Sequence, residues 1–155
     1  MRLNIKCLML GTIAWSAVNT LSVIASLAMQ GRGIASNADK LVLIFSLGAA
    51  LAYPLSRVLL YFTPHKWQPT QRFAAAFITL CGMTVGLTAL LFAYQFQQYY
   101  AQWHDDHFSK RLVFETVFTI LSACYQFLVL ALRNYFPIGL IGLLGASWLF
   151  AIKRI

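Results

Sequence analysis

Phe73-Ala-Ala-Ala-Phe-Ile-Thr-Leu-Cys-Gly-Met-Thr-Val-Gly-Leu-Thr-Ala-Leu-Leu-Phe-Ala-Tyr94 is the stretch on which the fold turns. Its 22 residues carry no charge and no proline. Coiled as an α-helix at ~1.5 Å per residue they reach ~33 Å, against a bilayer hydrocarbon core of ~30 Å. The apolar residues run together instead of alternating with polar ones, so the segment does not read as a strand of a membrane barrel. Lipid offers a backbone no hydrogen-bond partner, and a helix is the conformation in which this segment satisfies its own.

The same pattern recurs on either side. Apolar runs at about 7–30, 41–62, 73–95 and 112–132 read as membrane spans, and a shorter apolar stretch covers 137–152. From Phe136 to Ile152 it holds 17 residues, or ~25 Å of helix, the lower limit for crossing. The composition agrees: of 155 residues, 60% are hydrophobic and 10% charged, whereas soluble domains carry roughly a quarter charged residues. The expected fold is all-α, a single polytopic transmembrane helix bundle spanning 1–155, with four spans plus a short fifth apolar segment. Whether that fifth segment crosses is left open by hydropathy.

The connections are polar. Gly31 to Lys40 is glycine-bearing, and Asp39 is placed to cap a helix beginning at Leu41. Thr63 to Arg72 contains Pro64 and Pro69 and reads as non-helical. After Tyr94, the aromatics Phe96, Tyr99, Tyr100 and Trp103 read as an interfacial belt on a helix leaving the bilayer.

The net charge of +8 comes from basic residues scattered singly between apolar runs. They form no face that could track phosphates, so the expected partner is the lipid bilayer and not nucleic acid. With the amino terminus cytoplasmic, Arg2, Lys6, Arg57, Lys66, Arg72 and Arg133 fall inside, and Arg32, Lys40, Lys110 and Arg111 outside. Lys153 and Arg154 make the count six to six if the last segment crosses and eight to four if it does not. The positive-inside rule prefers the second arrangement. The expected location is a bacterial inner membrane, with the first span retained.

Ionisable groups within a membrane are costly, which singles out Arg57 and Glu115. Arg57 is near enough to a span end to snorkel, and Glu115 has Arg111 one helical turn before it, a favourable ion-pair spacing. His104-Asp105-Asp106-His107 offers two imidazoles three residues apart beside carboxylates, but no further ligand cluster accompanies them, so loop composition is the reading and no metal site is expected. Cys7, Cys81 and Cys124 lie in apolar segments and read as small hydrophobes. Gly82-Met83-Thr84-Val85-Gly86 places two glycines on one helix face, the pattern by which helices approach closely in lipid. Gly139, Gly142 and Gly145 are further packing candidates, and Asn19, Thr20, Ser46 and Gln126 are polar groups expected to point into the bundle. No catalytic constellation and no cofactor motif is visible, so the chain reads as a non-enzyme.

Three resemblances bear on function. Asp39-Lys40, Pro54-Leu55-Ser56-Arg57, the run Pro137-Ile138-Gly139-Leu140-Ile141-Gly142-Leu143 and the closing Ile152-Lys153 resemble the inner-membrane immunity proteins that protect bacteria from pore-forming colicins. Residues 73–122 would hold an insertion of about forty residues relative to the shorter members. That resemblance implies binding of a pore-forming toxin within the bilayer, through small residues such as Gly82, Gly86, Gly139, Gly142 and Gly145. Val18-Asn19-Thr20 and Arg57 to Phe62 resemble part of the four-span translocases for polyprenol-linked glucose, although the Asn-Arg-x-Trp core is missing from both halves. Arg32-Gly33-Ile34 and Ser109-Lys110-Arg111 are similar to four-span inner-membrane proteins of enteric bacteria, which implies no particular activity. The function classes are therefore an immunity protein, a lipid-carrier transporter, and an accessory subunit partnered by another membrane protein or a second copy of the chain.

Overall fold

The computed structural model describes residues 5–30, 38–64, 66–101 and 110–152. Five α-helices follow one another: α1 (Ile5–Met29), α2 (Ala38–Tyr61), α3 (Pro69–Ala101), α4 (Lys110–Gln126) and α5 (Ile138–Ile152). A π turn (Phe127–Ala131) and a 3-10 turn (Leu132–Tyr135) join α4 to α5, and no strand occurs among the described residues. By length and composition, Ile5–Met29, Ala38–Tyr61, Pro69–Tyr100 and Lys110–Tyr135 could each cross a membrane, while Ile138–Ile152 is a shorter apolar helix.

Local chemistry explains where the helices start. Asp39 sits inside the first turn of α2, not before it, because the helix opens at Ala38; there its carboxylate faces the positive end of the helix dipole. Pro69 is the first residue of α3, four positions before the expected start. Proline is tolerated there because that N–H has no intrahelical acceptor in any case. The side-chain oxygen of Gln71 accepts from the Gln68 backbone N–H at 3.0 Å, the reciprocal half of a capping box. At its other end α3 runs on through the glutamine-aromatic stretch to Ala101.

α1, α2, α3 and α5 make the bundle. Gly11 of α1 lies against the Tyr53 ring of α2, and Ser16 Oγ donates to the Ser46 carbonyl at 3.0 Å. Between α2 and α3, Gly48 packs directly on Thr88 and Ser56 reaches the Thr79 carbonyl. The interior splits into two apolar clusters, one around Val23, Phe45 and Phe127, the other around Trp15, Ala49, Leu80 and Leu143. Buried Asn19, Ser22, Ser26, Ser56, Thr84, Thr88, Asn134 and Ser147 also point inward. Outside, Leu10, Ile13, Ile24, Leu51, Ile78 and Leu90 are exposed. Such an inside-out distribution suits lipid, where close packing and interhelical hydrogen bonds hold helices together in place of the hydrophobic effect.

The path of the last third departs from span counting. Phe127, the first residue of the π turn after α4, stacks on Phe45 and packs at a tilt on Phe92. Arg133 then reaches the Gln30 side chain at the end of α1. Lys40 and Tyr99 line one shallow pocket, so the end of α3 lies near the start of α2, at this same end of the bundle. The link from Ala101 to Lys110 extends at most ~32 Å, whereas α3 is ~50 Å long, so α4 cannot begin at the opposite end. Lys110–Tyr135, apolar as it is, therefore does not traverse the bundle. α5 does run along it: Gly139 N–H donates to Ser22 Oγ at 3.0 Å, and Phe150 packs on Tyr53 near the other end. Arg133, which span alternation puts on the opposite side from Lys40, lies at the Lys40 end.

Candidate functional site

Two regions collect the side chains of interest: a polar junction where the α4–α5 turns cross α1, and the outward face of α3.

The junction is built from an i, i+4, i+8 stripe on α1. Ser26 Oγ donates to Asn134 Oδ1 at 2.9 Å, Gln30 Nε2 donates to Ser26 Oγ at 2.8 Å and to Asn134 Oδ1 at 3.3 Å, and Ser22 Oγ donates to the Asn134 carbonyl at 2.9 Å. Arg133 Nη2 completes the set by donating to Gln30 Oε1 at 2.6 Å. The π turn, in which Leu132 N–H bonds the Phe127 carbonyl, and the tighter 3-10 turn after it aim Asn134 at α1. A backbone leaving helical geometry inside lipid needs partners for its freed polar groups, and these side chains are those partners. Replacing Asn134 by Ala is expected to lower stability by about 1–2 kcal/mol, since two interhelical side-chain bonds at ~0.6–1 kcal/mol each are lost. Unfolding in mixed micelles is the measurement, and an unchanged midpoint would show that the junction contributes nothing.

Both charges singled out in the sequence, Arg57 and Glu115, have local partners. The Arg57 guanidinium lies 5.1 Å from the centre of the Phe150 ring, a cation–π contact tying α2 to α5. Arg111 Nε donates to Glu115 Oε1 at 2.8 Å along α4, leaving Glu115 Oε2 buried with no hydrogen-bond partner among the described residues. Arg57 and Glu115 are not brought together. Asn19 is buried and donates to the Trp15 carbonyl, Thr20 bonds back to Ser16, and Ser46 receives Ser16. The His104–His107 motif lies outside the described residues, and among those described no cluster of three metal-ligating side chains occurs.

The glycines divide into two groups. Gly139 and Gly142 are consumed within the chain: a Cβ at Gly139 would stand 3.3 Å from Ser22 Oγ, and one at Gly142 would collide with Val18. At Gly82, Gly86 and Gly145 a Cβ would meet nothing within 4 Å. α3 buries Ala76, Leu80, Thr84 and Thr88, and Gly82 and Gly86 lie two residues out of phase with that stripe. The outward row Ile78, Gly82, Gly86, Leu90, Tyr94 is exposed throughout. It forms a shallow groove of bare backbone between two large apolar side chains.

Sequence reading passed over the contacts that hold the molecule together. Gly48, Ala52 and Ser56 are all buried on α2, a small-xxx-small row as legible as the GxxxG of α3. Ser22, Ser26 and Gln30 recur every fourth residue along α1 and the residue that follows it, which was the available sign of the junction. Asn134, beside a charge and before a proline, looked like a span end and gave none.

Together these features define a class, the polytopic α-helical membrane bundle. Comparison of the chain with protein-family models, with curated proteins and with solved structures found no match.

Proposed function

We propose that this chain is a non-enzymatic membrane protein whose work is binding, and that it receives a partner helix within the bilayer on the outward face of α3. In its specific form this is an immunity protein that meets a pore-forming bacteriocin there. The observation carrying the reading is the open Gly82–Gly86 groove, where, among the described residues, nothing beyond the glycines' own chain neighbours and helix backbone comes within 4 Å of an added Cβ. A glycine pair that its own bundle leaves unused lets another helix approach the backbone closely, gaining dispersion and Cα–H···O contacts over a long seam. The resemblance of the chain's two ends to colicin immunity proteins supports the choice of partner.

The test is survival of cells making the protein under challenge with pore-forming bacteriocins. Gly82→Ile combined with Gly86→Ile is expected to reduce survival to that of cells lacking the protein. Its membrane level and helical content should match wild type, because the added side chains have room. Gly145→Ile, equally open but on α5, is expected to protect as wild type does. Full protection by the double variant would discard α3 as the docking face. If wild type protects against none of the toxins, the immunity reading falls, and weakened self-association or subunit association in the double variant would retain the groove as an interface.

A further inference from the structure

We propose that the pocket between the start of α2 and the end of α3 binds the anionic phosphate headgroup of a membrane lipid, together with the first part of one acyl chain. The pocket measures about 350 Å³ and is bordered by Lys40 and Ile44 of α2 and by Phe92, Gln95, Phe96 and Tyr99 of α3, among others. That volume is near the lower end of the ~300–1,000 Å³ of small-molecule sites, room for a headgroup and not for a whole lipid.

Polar atoms form a substantial share of the wall, and the polar and apolar groups are separated by depth. Lys40 stands in the first turn of α2 and Tyr99 in the last turn of α3. Ile44 is one turn further into α2, and Phe92 is two turns back from Tyr99, inside the uncharged stretch that ends at Tyr94. The charged end therefore lies at headgroup depth and the apolar end among acyl chains. Phe92 and Phe96 stack with ring centres 6.4 Å apart, giving the apolar end a flat wall.

Lys40 and Tyr99 are exposed and Gln95 is half-buried, so the polar end is open. No described residue forms a hydrogen bond or ion pair with the Lys40 ammonium, the Gln95 amide or the Tyr99 hydroxyl. Asp39, the neighbour of Lys40, does not border the pocket. The described wall thus carries one positive charge and no carboxylate, and it matches a group of opposite sign. A soluble anion would satisfy Lys40 and leave the two phenylalanine rings uncovered. A lipid covers both parts, its phosphate oxygens accepting from Lys40 and its chain lying along the rings.

The test uses the full chain in neutral detergent micelles, titrated with dioleoyl lipids and read by native mass spectrometry as lipids bound per chain. The first phosphatidylglycerol is expected to half-saturate at a concentration about fivefold below that for phosphatidylcholine, the attraction of one basic side chain for an anionic headgroup. Lys40→Gln, at an exposed position that tolerates the change, is expected to make the two lipids equal, and Lys40→Glu to reverse the preference. Lys110→Gln, at the same end of the bundle but outside the pocket, is expected to keep it. Free glycerol 3-phosphate, which has the headgroup charge and no tail, is expected not to displace the lipid. Equal binding of both lipids by the parent protein would overturn the site. An unchanged preference in Lys40→Gln, or an equal loss in Lys110→Gln, would overturn the pocket as its location and leave diffuse charge attraction. Displacement by glycerol 3-phosphate at concentrations comparable to the lipid would overturn the membrane as the source.

Discussion

A cysteine at Arg133 is expected to react with a membrane-impermeant thiol reagent from the same side as a cysteine at Ser36, and to be protected from the side that labels one at Lys66. The background for the measurement replaces Cys7, Cys81 and Cys124 by serine. The expectation follows from the contact between Arg133 and Gln30 at 2.6 Å, together with the antiparallel course of α5 down α1 from Ser22 to the neighbourhood of Tyr53. In that threading α1, α2, α3 and the shorter α5 would be the crossings, although Lys110–Tyr135 is the segment long and apolar enough to span. Arg2, Lys6, Arg57, Lys66, Arg72, Lys153 and Arg154 then share one side and Arg32, Lys40, Lys110, Arg111 and Arg133 the other, seven basic residues against five. The excess lies on the amino-terminal side, as the positive-inside rule prefers for a cytoplasmic amino terminus. The effect is all-or-none at each site. Labelling of position 133 from the Lys66 side would mean that Lys110–Tyr135 crosses, and the junction described above would then be wrong.

The second large effect is expected at Gly48. A Cβ there would stand 3.0 Å from the Thr88 Cα and closer still to its hydroxyl, so α2 and α3 must separate to admit one. Their seam carries the buried row Gly48, Ala52 and Ser56. Gly48→Val is expected to destabilise by about 3 kcal/mol, the upper range for overpacking a filled interface. Gly145→Val, where a Cβ meets nothing within 4 Å, is expected to change stability by no more than about 0.5 kcal/mol. Unfolding of the two variants in bicelles, side by side, separates backbone approach from mere loss of glycine. Similar midpoints would contradict the seam.

Helices and their number were legible in the sequence because length, hydropathy and the absence of charge are local properties. The start of α3 at Pro69 was missed for an equally local reason: a proline that ends one helix also suits the first turn of the next. What hydropathy could not supply was the partner of each face. In lipid both sides of a helix are apolar, so Gly82 and Gly86 looked the same whether they met a neighbouring helix or faced outward. Gly139 and Gly86 were indistinguishable for that reason, though one lies against Ser22 and the other is open. The course of α4 was hidden too, because Lys110–Tyr135 meets every length and composition criterion of a span. The packing of Phe127 on Phe45 and Phe92 and the bonds from Arg133 and Asn134 back to Ser22, Ser26 and Gln30 reveal where it finishes.

That course has a consequence for how the chain is made. Membrane insertion reads hydropathy segment by segment, and Lys110–Tyr135 scores as a crossing. A chain threaded on that score would deliver the next helix upside down, with Gly139 at the wrong leaflet and Ser22 and Ser26 unmatched. The bonds at those two serines form in only one of the two threadings and so favour it over the inverted one.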